Sequence, residues 1–142
     1  MTTLPPVSAF NAVGEGHLPG LLGLEITEAS LDPARFAGRL AVERRHHAPN
    51  GFLHAAAVIA LADTLCGYGS MATKPEAASG FTTVELKSNF MGTAREGVIL
   101  AVATPVHLGR TTQVWDATVT REVDGGIIAL FRCTQMILWP KA

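Results

Sequence analysis

In the stretch NGFLHAAAVIALADTLCGYG, Asn50 to Gly69, His54 and Asp63 stand out as side chains that could move a proton or attack an electrophile. The rest of the stretch is small and apolar, as in a buried helix, and Asp63 is its only carboxylate. A buried charge without a partner costs several kcal/mol. Asp63 therefore either has hydrogen-bonding partners or borders a cleft. At an apolar cleft its pKa and basicity rise, which suits a general base or a nucleophile. The residues alone leave a structural alternative open, an Asp63 bonded to backbone groups of a neighbouring loop.

The helix is expected over about Leu53 to Met71, beginning near His54 or Ala55, with no Ser, Thr, Asp or Asn immediately ahead of it. Its first N–H groups then lack an obvious side-chain cap. Free N–H groups at the positive end of a helix can bind an anion or a developing oxyanion. His54, Asn50 and the Pro49-Asn50-Gly51 loop lie beside them. Plainer roles exist for each: a satisfied loop histidine for His54, a turn residue for Asn50, a hydroxyl bonded back to a helix carbonyl for Thr64, and core packing for Tyr68. The adjacent His46 and His47 have no Cys or carboxylate cluster near them in sequence, so no metal site is expected. There is no Gly-rich phosphate loop, GxSxG or CxxC motif.

The chain that must position these groups has 142 residues, ordinary for one domain. With 48% hydrophobic and 16% charged residues it can build a core. A net charge of -1 argues against a nucleic-acid partner. No continuous apolar run reaches membrane-span length, and MTTLPPVSAF does not read as a secretory signal. Cys66 and Cys133 sit in apolar segments and are expected to be reduced, in keeping with a cytoplasmic location.

A short helix is expected around Val7 to Val13, then strands from Leu21 and from Arg35 joined by a turn at Leu31-Asp32-Pro33. After the long helix the chain reads as strand. FTTVELKSNF places Val84, Leu86 and Phe90 on one face, and Leu108-Gly109-Arg110 and Asp124-Gly125 mark hairpin turns. A helix apolar on nearly every side needs a sheet wrapped around it. The last strand is apolar on both faces, with Ile127, Ala129 and Phe131 on one and Ile128, Leu130 and Met136 on the other. One face can cover the helix and the other calls for a second subunit, so a homo-oligomer is expected.

His54 with "LADT" following it, then FTTVELKSNFMGTAREG and VHLGRTTQVWDATVTREVDGGIIALFRCTQMIL, resembles the hotdog-fold acyl-CoA thioesterases over roughly residues 21–138. Within them the pattern is similar to the phenylacetate-pathway and Arthrobacter-type 4-hydroxybenzoyl-CoA branch. The resemblance implies an α+β hotdog fold: a long central helix wrapped by a curved antiparallel β-sheet, in a single domain over 21–142 after an extension over 1–20. It implies hydrolysis of an acyl-CoA thioester, by a dimer or tetramer with its sites at the dimer interface. Asp63 would be base or nucleophile and the Ala55 N–H the oxyanion donor. His54 would orient the loop or the carbonyl, and Thr64 would contact water or the neighbouring subunit. No cofactor is implied, coenzyme A being part of the substrate.

The chain departs from the family twice. His54-Ala55-Ala56 replaces the usual His-Gly-Gly, and Ala48 stands where an Asn is common, with Asn50 nearby as a stand-in. For the coenzyme A phosphates, Gly109 and Arg110 match a frequent "G-R" position, with Lys87, Arg95, Arg44 and Arg45 as further cations. Two other activities stay open: a hotdog 3-hydroxyacyl dehydratase using His54 and Asp63, and a non-catalytic acyl-CoA-binding protein.

Overall fold

The computed structural model describes residues 3–142. In chain order its elements are α1 (Val7–Gly14), α2 (Leu18–Leu22), β1 (Glu25–Leu31), β2 (Ala34–Ala41), α3 (Ala55–Thr73), β3 (Gly80–Phe90), β4 (Val98–Leu108), β5 (Thr112–Arg121) and β6 (Ile127–Leu138). The strands form one antiparallel sheet in the order β1-β2-β4-β5-β6-β3, and α3 lies along one face of it. This is the hotdog architecture.

Period-2 alternation makes the inner face of the sheet apolar. Trp115, Ala117 and Val119 of β5 and Ala129, Phe131 and Cys133 of β6 point inward and are buried. Phe36, Leu40 and Ile99 extend the same layer across β2 and β4. Against it α3 packs Val58, Leu61, Ala62, Leu65 and Cys66. Cys66 and Cys133 are both free and buried. By length and composition α3 is apolar enough to cross a membrane; here one side of it is packed on the sheet.

Four expectations need correction. First, α3 is not buried on all sides: Asp63, Thr64, Gly67 and Tyr68 are half-buried and Met71 is exposed. The sheet packs most closely on one side of α3, and the second side is left partly open for other contacts. Second, the chain at Leu21 continues a short helix and the strand starts only at Glu25. Gly23, at φ +79°, ends α2 in the left-handed conformation. The boundary expected after residue 20 thus falls inside α2. Third, the pairing of β5 with β6 skips Ile128, which bulges inward and is buried while Ile127 is 47% exposed. Fourth, a similar irregularity at Val84 separates it from Leu86 and Phe90, which lie opposite the inward-facing Cys133 and Ala129. All three stay exposed on β3, an edge strand of the sheet.

The N-terminal segment is tied to the sheet. The Asn11 side chain brackets the backbone of Ile26, accepting from its N–H at 2.8 Å and donating to its carbonyl at 3.1 Å. Phe10 meets Phe36 edge-on at 5.9 Å and Tyr68 at 5.4 Å. This lays α1 beside the flank of α3 that the sheet leaves uncovered.

Trp115 lies against α3 where Gly69 has no side chain; a Cβ there would sit 2.5 Å from the indole ring. Gly69→Ala is expected to lower stability by about 1–3 kcal/mol, although alanine is the better helix former. Urea unfolding with an unchanged slope would measure it. A neutral or stabilising effect would show that the indole does not depend on that gap.

Candidate active site

The segment leading into α3 is stapled on both sides. His46 is buried; its Nδ1 accepts the Glu43 N–H at 2.9 Å and its Nε2 contacts the Leu22 carbonyl at 2.7 Å. His54 N–H donates to the His46 carbonyl, Leu53 N–H to Ala94 and Ala48 N–H to Phe52. His47 Nε2 bonds the Arg95 carbonyl at 2.8 Å. Asn50 serves the turn, its Oδ1 accepting from the Phe52 N–H at 3.1 Å, and Gly51 supplies the positive φ of 84°.

The helix start is capped, contrary to expectation, because histidine can stand in for the usual cap residues. His54 Nδ1 accepts the Ala56 N–H at 2.9 Å. The neutral ring then carries its proton on Nε2. Ala57 N–H donates to the His54 carbonyl at 3.0 Å, and Val58 N–H reaches the same oxygen at 3.5 Å. The Ala55 N–H has no acceptor among the described residues. It is a donor held at the positive end of a helix of 19 residues, on an exposed residue.

Asp63 stands eight residues further along α3, on the flank the sheet leaves uncovered. Its carboxylate makes no hydrogen bond among the described residues, and Oδ1 is buried without a partner. The structural alternative, an Asp63 tied to a loop, is therefore not what the fold contains. Burial pushes its pKa up from the ordinary aspartate value. Thr64, beside it, makes no side-chain bond back to the helix, whereas Ser70 and Thr73 do. Asp63 and Thr64 open onto an apolar cavity of about 390 Å³ lined also by Phe10, Val13, Gly67, Met71 and Phe81. A second cleft of about 270 Å³ adjoins the helix start, lined by His54, Ala56, Ala60 and Arg45 among others.

Within one chain these groups do not converge. The helix rise separates the Ala55 N–H from Asp63 by about 12 Å. Gly109 and Arg110 lie at the end of the sheet near the C-terminus of α3, where Thr73 contacts Gln113, the cross-strand partner of Leu108. There the Arg110 guanidinium stacks 4.6 Å from the centre of the Trp139 ring. Arg95 lies over Phe52 beside the helix start, and Lys87 opens onto the outer face of the sheet.

Sequence reasoning missed the wall of the cavity. Gly67 and Met71 repeat at four-residue spacing after Asp63, and helical periodicity would place them on its flank. Nothing local marks Phe10, Val13 or Phe81, which arrive from distant segments.

The family model described as the thioesterase superfamily matches residues 50–128. The chain is 31% identical to the 1,4-dihydroxy-2-naphthoyl-CoA hydrolase of Escherichia coli, over 93% of this chain and 94% of that protein. It is 34% identical to the proofreading thioesterase EntH of Cronobacter turicensis, over 82% of each. Its fold superposes on a mutant form of the thioesterase PA1618 of Pseudomonas aeruginosa with a TM-score of 0.89, at 29% identity and covering 96% of both chains.

The unpartnered carboxylate has a consequence for stability. With its folded-state pKa raised, the contribution of Asp63 to stability is whole below the unfolded pKa and is lost as pH rises through the raised value. Asp63→Asn cannot ionise, so it should melt above the wild type at neutral pH, and the gap should close below about pH 4. Thermal melts across pH test this. A gap that does not vary with pH would mean that folding does not raise the Asp63 pKa.

Proposed function

The chain belongs to the thioesterase superfamily, and on that premise we propose that it hydrolyses the thioester of an acyl-CoA or aryl-CoA to the free acid and coenzyme A. The observation that carries the reading is Asp63, a desolvated carboxylate with no hydrogen bond among the described residues, facing an apolar cavity from the middle of α3. A structural carboxylate would have acquired partners; this one is poised for an incoming group. The name of the E. coli relative supports extending the reading to aryl esters.

In this reading the thioester carbonyl accepts a hydrogen bond from the Ala55 N–H. Asp63 acts on the carbonyl carbon in one of two ways. As a base it takes a proton from the attacking water. As a nucleophile it forms a mixed anhydride that water then cleaves. Negative charge gathers on the carbonyl oxygen, where a preoriented donor is worth about 3–4 kcal/mol. The tetrahedral intermediate expels the coenzyme A thiolate, a leaving group that needs no strong acid. Thr64 lies beside the water, His54 offers its Nε2–H to the bound ester, and Asn50 keeps the loop in shape. With its proton on Nε2, His54 is a donor and not the base that a dehydratase would need.

One carbonyl cannot meet both groups of one chain across about 12 Å. We therefore place each site between two copies, the Ala55 N–H from one and Asp63 from the other, in a dimer or a tetramer. The β3 edge, with Leu86 and Phe90 exposed, is the surface this assembly would cover. Gly109 and Arg110 would then hold coenzyme A phosphates, in a cytoplasmic enzyme acting on a small-molecule substrate with no resident cofactor.

Loss of thioester absorbance with a panel of acyl-CoAs tests the reading. Asp63→Asn should lower turnover by about 10²–10⁴-fold while the protein stays folded; unchanged turnover would sink the assignment. Ala55→Pro is a separate probe, because proline is tolerated at the first helical position and removes only that N–H. It should lower turnover by about 10²–10³-fold. Mixing subunits of the two variants should restore activity that neither has alone, and failure to do so would overturn the pairing of these two groups across copies.

A further inference from the structure

The cavity beside Asp63 does not end blindly. A second apolar cavity of about 240 Å³, lined by Leu4, Pro5 and Ala72 among others, adjoins it, and the two share Phe10 and Met71 as a common wall. The halves of this wall differ in stiffness. Phe10 is held by its ring contacts with Phe36 and Tyr68. Met71 is 49% exposed, and its unbranched thioether can swing.

The groove leading to the wall is cut into one flank of α3. Asp63, Gly67 and Met71 follow one another at four-residue spacing, about 12 Å from first to last. Gly67 leaves the helix surface bare between them, and Phe81 lies opposite: a Cβ added at Gly67 would stand 3.4 Å from its ring. Glycine costs about 1 kcal/mol in a helix interior, so its place here keeps the groove open at the expense of helix stability.

We propose that Met71 is the gate that sets the acyl-length limit of the enzyme. Resting on the thioesterase reading, the proposal has the acyl group run from the carbonyl at Asp63 over Gly67 to Met71, which closes the second cavity behind it. An extended chain advances about 1.2 Å per bond, so the groove takes roughly eight to ten carbons. Saturated acyl-CoAs of that length are the favoured aliphatic substrates, and longer ones must displace the methionine.

The experiment compares kcat/KM for a saturated acyl-CoA series from C4 to C16 in the wild type, Met71→Ala and Met71→Trp. The wild type should peak near C8–C10. Met71→Ala should raise the C16-to-C8 ratio at least tenfold, since each methylene entering the second cavity gains about fourfold. Met71→Trp should move the optimum to shorter chains. A wild-type profile that Met71→Ala leaves in place overturns the gate while hydrolysis stands. If the wild type hydrolyses no member, the aliphatic half of the thioesterase reading falls, and calorimetric binding of the same series decides the gate separately. A length limit in affinity that shifts in Met71→Ala supports it, and an unshifted limit overturns it.

Discussion

The sheet covers one side of α3 more fully than the other, and the arrangement of this protein depends on that asymmetry. The sheet takes the side of α3 that carries Leu61, Leu65 and Cys66, and Trp115 is pressed close through the gap at Gly69. The other side meets the sheet only through Phe81 and Thr83 of β3 and stays partly open. Asp63 stands on that flank, desolvated enough to raise its pKa and open enough to meet a ligand. The N-terminal segment, fastened through Asn11 and Phe10, turns the exposed flank into a cavity. Hydrophobic packing on one side of the helix thus creates both the space and the low polarity that a basic carboxylate requires.

The same helix supplies the second group through its end. Capping normally consumes the free N–H groups of a first turn, and here His54 and its own carbonyl consume those of Ala56, Ala57 and Val58. The Ala55 N–H remains. Alanine in place of glycine does not remove the donor, because the hydrogen bond comes from the backbone and the residue sits in ordinary helical conformation. A rigid rod keeps the two groups about 12 Å apart, and from this follows the proposal that two chains complete each site.

Much of this was legible in the residues. The long helix, the lone carboxylate in it and the hairpin turns are carried by local signals, periodicity, composition and Gly-containing turns, whereas the hotdog architecture was implied by the resemblance to a family. The readings that needed correction have physical causes of their own. At Ile127 and Ile128 one extra residue in the ladder exchanges the inward and outward positions, and at Val84 a similar shift does the same. Strict alternation cannot reveal a bulge, because a bulge is a relation between two strands. The capping role of His54 was hidden because it depends on ring orientation. The apolar start at Leu21 belonged to a helix that Gly23 stops.

What the sequence by itself determined is the set of parts: an apolar helix able to pack on a sheet, a carboxylate that such a helix tolerates only beside a cleft, and strands to make the sheet. These depend on residue type and short-range spacing, which are written along the chain. Only the tertiary structure decided which side of α3 is covered, which single N–H stays free, and that Phe10, Met71 and Phe81 meet around Asp63. Those outcomes depend on residues up to 71 positions apart being brought together, from Phe10 to Phe81. No local pattern encodes such a meeting; it follows from the order of the strands and from the one side of the helix that they can reach.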